Sequence, residues 1–403
     1  MTNTTSPKSS ISKILPVLFA FFVMGFCDIV GTASGYVKDA FGWSTTMAGF
    51  VPSMVFIWFF FISIPVGIKM NKWGRKTTVQ ISMVITILGM ILPLVIYNSI
   101  TSMIAFAFLG IGNTILQVSL NPLLNNVINN KKLLTSSLTT GQLIKAISSF
   151  ACPFIMMFAV SFAANRHGIT KEMAEVQYWY YCFPIMGAIT LLSSLWLMFT
   201  PIPREETAAE GASFGETLSL LKDKTILLLF LGIFFVVGVD VSTNFISEKL
   251  MAARFGHIKG STTISPEQIY FIGRTAGAFI GAFLMTKIAE IKYFRVNIVA
   301  CIAVLLVLAF VEVEIVNWIA LCGIGFFASC VFSIIYSMAV QARPEKANQI
   351  SGLMVTAIAG GAVIPPVLGF ATDTFGMVGG VFVILLCVLY LTYCAFGIKT
   401  ARS

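Results

Sequence analysis

PIPREETAAEGASFGETLSLLKDK, residues 201–224, is the longest polar stretch inside a chain of 403 residues otherwise built from apolar runs. Pro201 and Pro203 end the helix before it, and Glu205, Glu206 and Glu210 hold the segment in water. Before it the sequence predicts six apolar spans, near 14–37, 45–68, 77–97, 101–125, 137–161 and 178–200. After it come six more, near 225–247, 268–289, 294–311, 316–340, 350–371 and 377–398. Each is close to the ~20 residues a helix needs to cross the hydrocarbon core of a bilayer. The expectation is an all-α integral membrane protein of twelve transmembrane helices in two pseudo-symmetric six-helix halves, 1–200 and 225–403, joined by a cytoplasmic linker at 201–224.

Composition agrees. Hydrophobic residues make up 57% of the chain and charged ones 11%, against roughly 25% charged in soluble domains. The short segments of alternating polarity that mark an outer-membrane barrel are absent from the sequence. A net charge of +9 raises the possibility of a nucleic-acid partner, but its distribution argues against one. With both termini placed inside, inner segments hold 18 Lys/Arg and outer loops six. That alternation is the positive-inside rule and predicts an N-in, C-in chain in a plasma (inner) membrane. The Ser/Thr-rich tail through Lys13 lacks a small-residue cleavage site, so a removed signal peptide is not expected. The eight cysteines lie scattered in apolar spans and both histidines fall in outer loops, so neither a disulfide framework nor a metal site is expected.

Weak echoes link the halves. GIKMNKWGRK (67–76) and GAFLMTKIAE (281–290) close corresponding spans, ACPF (151–154) and GAVIPP (361–366) place prolines late in corresponding helices, and GIGNT (110–114) is echoed by GIGFF (323–327). The loop 67–76 resembles the signature of the major facilitator superfamily, with Gly67, Lys72, Gly74, Arg75 and Lys76 matching in spacing and Asn71 where the family has an aspartate. The resemblance implies two halves rocking about a central site, and an inner latch in which Lys72 and Arg75 make charge pairs.

Four ionisable residues lie deep in spans: Asp28, Lys145, Asp240 and Arg274. Each carries at least ~2.5–3.5 kcal/mol of insertion penalty and so needs a partner or a task. Lys145 sits too deep to reach either surface, and it either pairs with a buried acid or meets a substrate anion. Asp28 is the only acid within the first six spans and is its natural partner. Burial and a neighbouring cation pull the protonation of such a carboxylate in opposite senses, as a proton switch requires. In the second half Asp240 precedes Asn244 by one turn, and Arg274 lies among Gly273, Gly277 and Gly281; either structural pairing of Arg274 with Asp240 or gating is open. Asn113, Gln117, Asn121 and Asn125 form a polar stripe on the fourth span, and Gln142, Lys145 and Ser149 share a face of the fifth. Amides can simply glue helices together, for about 0.6 kcal/mol each. Four in a row exceed that need and suit a water-filled cavity where they meet solute hydroxyls. Trp58, Phe326 and Tyr336 are candidate platforms for a sugar ring, among many aromatics that serve packing alone.

DIVGT (28–32), the loop 67–76, GIGNTILQVSLNPLL (110–124), GQLIK (141–145), FIGRTAG (271–277) and GLMVTAIAGGAVIPPVLGFATDTFG (352–376) together make the chain similar to the fucose–proton symporter family of that superfamily. The resemblance implies proton coupling at Asp28 and sugar contact at Gln142. Two departures stand out: Gln117 replaces the family's glutamate, and Lys145 replaces an amide. The expected function is a secondary active transporter, not an enzyme. It imports a monosaccharide, a hexose or deoxyhexose, by proton symport through alternating access. It acts as a monomer in the lipid bilayer, with no cofactor beyond the proton gradient and no nucleic-acid partner. Expected substrate contacts are Asn113, Gln117, Asn121, Gln142, Lys145, Asn244 and Tyr336. One alternative is an acidic sugar, a uronate or sialic acid, whose carboxylate Lys145 binds. A more distant one is a proton-driven exporter. No glycine-rich phosphate loop points to ATP.

Overall fold

The structure, a computed structural model, describes residues 11–43, 50–128, 134–203, 213–256 and 264–397, so the acidic core of the 201–224 linker and the N-terminal tail lie outside it. No strand occurs among the described residues. Ten helical stretches there are long and apolar enough to cross a membrane. Helices satisfy their backbone groups internally, which hydrocarbon demands. Their outward faces carry large apolar side chains such as Phe199 (80% exposed) and Phe370 (72% exposed), which water would not tolerate in such number.

α1 (Ile11–Met24) runs through a 3₁₀ stretch, Gly25–Ile29, into α2 (Val30–Phe41). A tightened turn within a helix often marks a functional position, and this one carries Asp28. α3 (Phe50–Trp73) meets α4 (Arg75–Val95) at Gly74, whose φ of 85° a side chain would resist. α5 (Ser99–Val127) starts at a capping box made by Asn98 and Thr101, and buries almost its whole second half. α6 (Leu134–His167), α7 (Lys171–Tyr178) and α8 (Cys182–Phe199) follow, the last two joined by the 3₁₀ turn Trp179–Tyr181. After the linker come the short α9 (Phe214–Ser219) and then α10 (Lys224–Phe255), which Asp223 caps at its start. α11 (Pro266–Leu284), α12 (Glu290–Phe310), α13 (Glu314–Ala328), α14 (Val331–Ala342), α15 (Ala347–Thr356) and α16 (Gly360–Gly397) complete the chain. Inside α16 the helix breaks at Gly376, with φ 71° and ψ −173°.

The helices overrun the hydrophobic windows at several ends. α6 covers 134–167 where hydropathy marks 137–161, because a helix continues into the headgroup layer after its apolar signal stops. α11 does the reverse and ends at Leu284, where turns over Met285–Ile288 replace the last predicted turn.

One end of the bundle is rich in Lys and Arg, and there helices before residue 200 are bonded to helices after residue 224. Arg75 Nε donates to Asn348 Oδ1 (3.0 Å), whose amide donates to Asn71 Oδ1 (2.6 Å). Arg75 also donates to the Pro122 carbonyl (3.0 Å) and to Asn126. Thr135 Oγ1 is 2.6 Å from Ser337 Oγ and bonds the Glu290 carboxylate, while Ser136 donates to the Ala282 carbonyl (2.5 Å). Gly67 and Gly352 let α3 and α15 touch backbone to backbone: a Cβ on Gly352 would lie 2.6 Å from the Ser63 carbonyl oxygen. At the opposite end Trp179 bonds Tyr97, and Arg254 bonds Asn317 and the Leu308 and Ala309 carbonyls, each within its own set of helices. The basic end is closed.

Candidate functional site

Gly25 decides how the first helix meets the fifth predicted span. A Cβ there would fall 2.6 Å from both the Lys145 carbonyl oxygen and Ser148 Cβ, so the 3₁₀ turn rests directly on α6. That approach places Asp28 against the Lys145 face. Lys145 Nζ is 3.9 Å from Asp28 Oδ2, Ser149 Oγ donates to the same oxygen at 2.6 Å, and Cys27 Sγ donates to Oδ1 at 3.2 Å. Both charged side chains are largely withdrawn from solvent, at 14% exposure for Lys145 and 20% for Asp28. Separating such a pair is expensive, because either partner alone would be an uncompensated charge.

A second pair forms between α10 and α11. Arg274 Nη1 lies 2.9 Å from Asp240 Oδ2, and the Tyr270 hydroxyl donates to Asp240 Oδ1. Side chains at Gly273 or Gly277 would collide with the Cys322 and Phe326 carbonyls, so these glycines bring α11 onto α13 and fix the depth of Arg274. α11 also packs along α6, and the Arg274 guanidinium is within electrostatic reach of Asp28. The two pairs, Lys145–Asp28 and Arg274–Asp240, thus belong to helices packed together and hold two positive and two negative charges in all. Among the described residues, no cluster of three or more His, Cys, Asp or Glu is disposed to hold a metal ion.

The amide stripe lies inside the bundle, not on lipid. Asn113 is 3% exposed, Gln117 4% and Asn121 1%, and Asn121 Nδ2 donates to the Gln117 carbonyl (3.2 Å). Gln142 and Asn244 are half-buried, Gln142 one turn before Lys145 and Asn244 one turn after Asp240. Tyr336 stands beside Asn121 of that stripe. Its ring is fully buried, and its hydroxyl donates to Ser351 Oγ (2.7 Å), which in turn donates to the Val118 carbonyl (2.5 Å). It belongs to the closure near the basic end. There Arg75 donates to Asn348, to Asn126 and to the Pro122 carbonyl, and Asn348 in turn donates to Asn71. Lys72 is exposed.

Sequence reasoning missed Tyr270, Ser351, Asn348 and Glu290. Tyr270 had a findable signal, since it stands one turn before Arg274 on the same helix face. The others are joined to partners more than 150 residues away. A cavity of about 280 Å³ lined by Ile280, Leu284, Tyr293, Val296 and Phe326, with Lys292 at its rim, contains none of the deep charges.

A family model described as Major Facilitator Superfamily matches residues 17–366. The chain is 24% identical over 414 aligned residues to a glucose/galactose transporter of Brucella abortus, covering 100% of this chain and 97% of that one. To the L-fucose-proton symporter of Escherichia coli it is 24% identical over 367 residues, 84% of this chain and 82% of the relative. The crystal structure of the major facilitator transporter FucP in the outward conformation superposes with a TM-score of 0.81 at 21% identity, covering 98% of this chain and 100% of that one.

Proposed function

Because the chain belongs to the Major Facilitator Superfamily, we propose that it is a secondary active transporter that imports a neutral monosaccharide, a hexose or deoxyhexose, by proton symport. The observation that carries this reading is the neutral group of four deep charges, Asp28, Lys145, Asp240 and Arg274, standing between two sets of helices closed at one end. The names of the relatives, glucose/galactose transporter and L-fucose-proton symporter, support the substrate class.

In this reading the protein has twelve spans. α11 crosses the membrane, and the 54-residue stretch Pro344–Gly397 crosses twice, turning at Gly376. Residues 1–200 and 225–403 are the two halves, and 201–224 is the cytoplasmic linker. Both termini face the cytoplasm, the basic end is the inner face, and the protein works as a monomer in the inner membrane. The closed basic end then corresponds to an outward-facing state. Asp28 takes up the proton. Gln142, Asn113, Gln117, Asn121 and Asn244 meet sugar hydroxyls, Arg274 and Asp240 gate the second half, and Arg75 with Lys72 latches the inner face.

The mechanism follows from charge balance. With Asp28 ionised, the group of four sums to zero and Lys145 is held against its partner. A proton on Asp28 cancels one negative charge, frees Lys145 and weakens the attraction between the two pairs. The halves can then rearrange around bound sugar, and return to the inside releases both. Lys145 and Arg274 already face carboxylates, which favours an uncharged sugar over a uronate or sialic acid.

The test is uptake of radiolabelled glucose, galactose, fucose and glucuronate into proteoliposomes at two pH values. Asp28→Asn is expected to abolish proton-driven accumulation while leaving sugar exchange measurable. Concentrative uptake that survives unchanged in Asp28→Asn would remove Asp28 from the coupling role. A preference for glucuronate would replace the neutral-sugar reading with the acidic one.

A further inference from the structure

Two buried donors in the wall between α3 and α5 have no acceptor among the described residues: Trp58 Nε1 and Asn113 Nδ2. They belong to one patch. Gly110 stands three residues before Asn113 on the same face of α5, and a Cβ built on it would lie 2.8 Å from Trp58 Cδ1, the ring carbon bonded to Nε1. The N–H edge of the indole therefore rests on the face of α5 that carries Asn113 and, one turn further, Gln117. Asn113 is 3% exposed, so water reaches its amide poorly in this state. Native interiors rarely leave such donors unpaired, and those left unpaired generally await a ligand, an ion or a bound water.

The surroundings restrict what the acceptor can be. Neither α5 nor the part of α3 from Phe50 to Ile68 contains an ionisable residue. A carboxylate or phosphate brought here would lose its hydration and find no cation on either of these helices. An uncharged oxygen suits two neutral N–H donors, and an indole face beside it suits the C–H face of a pyranose ring.

We propose that Trp58 and Asn113 form a subsite that receives one hydroxyl of the transported sugar. This rests on the sugar-transport reading and adds Trp58 to it as a specificity-determining contact. The subsite recognises one particular oxygen of the sugar, so it discriminates between sugars that differ only there.

The test uses equilibrium binding of tritiated galactose to purified protein, competed by galactose and its monodeoxy analogues. Trp58→Phe keeps the ring and removes the N–H, and Asn113→Leu keeps the volume and removes the amide. Trp196→Phe, an exposed tryptophan on α8, is the control and should bind as the wild type does. Both site variants should weaken parent-sugar binding roughly three- to tenfold, the worth of one neutral hydrogen bond. Against one monodeoxy analogue, the one lacking the recognised oxygen, they should cause no loss. Equal weakening towards every analogue would mean that Trp58 and Asn113 only support the fold, and unchanged affinity would mean that water alone occupies the donors; either result overturns the subsite. Either variant suffices should the other fail to fold. If the wild type binds none of tritiated galactose, glucose or fucose, the transport reading falls, and this inference with it. If the wild type binds and the variants match it, only the subsite is lost.

Discussion

Gly352→Ala should open the basic end. A Cβ at Gly352 would sit 2.6 Å from the Ser63 carbonyl oxygen, 3.2 Å from Gly67 Cα and 3.3 Å from Ile64 Cα. All three are backbone atoms, so no side chain can rotate away. Ordinary contact begins at 3.4 Å, and α3 and α15 must therefore part by about 0.8 Å or bend. Overpacking of this kind costs about 1–3 kcal/mol. The penalty applies where the helices touch, in the state closed at that end, and vanishes once they separate. The higher helix propensity of alanine acts in both states and cancels. At 1.4 kcal/mol per factor of ten, the closed-to-open ratio should fall roughly five- to 150-fold. Spin labels on cysteines introduced at Lys69 and Glu345, both exposed, report the gap; seven of the eight native thiols are buried, and Cys322 is replaced by alanine. The expected result is a longer-distance population absent or minor in the parent, together with weaker sugar binding from the opposite face. A monodisperse Gly352→Ala protein with an unchanged distance distribution would show that the Gly67–Gly352 contact does not hold the gate.

Two further predictions concern stability. Lys145→Ala leaves Asp28 buried without its cation and should lower thermal stability by about 3–5 kcal/mol, while the double change Lys145→Ala with Asp28→Asn should recover most of the loss; a double variant as unstable as the sum of the singles would deny the pairing. Asp223 caps α10 by accepting from Thr225 N (2.9 Å) and receives Arg343 Nη2 (3.1 Å). Partial burial pushes its carboxyl up, but the Thr225 and Arg343 hydrogen bonds outweigh this and hold it below its ordinary value. A depressed carboxylate contributes stability above the ordinary carboxylate range and loses it as pH falls through the lowered value. Asp223→Ala should therefore cost about 0.5–2 kcal/mol at neutral pH and progressively less in acid, read by thermal unfolding in detergent across a pH series; a pH-independent loss would contradict the ionised cap.

Much of the site was legible because of what hydrocarbon does to charge. Asp28 and Lys145 could be matched in advance, since one acid and one deep cation in the first six spans leave few pairings. Arg274 and Asp240 followed the same logic, and the structure joins them at 2.9 Å. Residue type alone points to Tyr336 as a platform, and the structure sets it beside Asn121 with its hydroxyl on Ser351, a contact no local pattern encodes. Helix ends were legible only to within a turn or two, because hydropathy reports the bilayer and not the capping bonds that stop a helix.

The latch shows where sequence stops. Gly67, Lys72, Gly74, Arg75 and Lys76 identify the loop, but nothing local says that Asn348, 273 residues beyond Arg75, supplies its acceptor. By itself the sequence determined that the chain lies in a membrane as helices and which side chains there need a partner, because insertion energies depend on each segment alone. Only the tertiary structure decided that the helices carrying two ion pairs from distant spans pack together, and that one end is bonded shut. Between helices in lipid the register is set by close packing at glycines such as Gly25, Gly277 and Gly352, which no hydrophobic periodicity encodes.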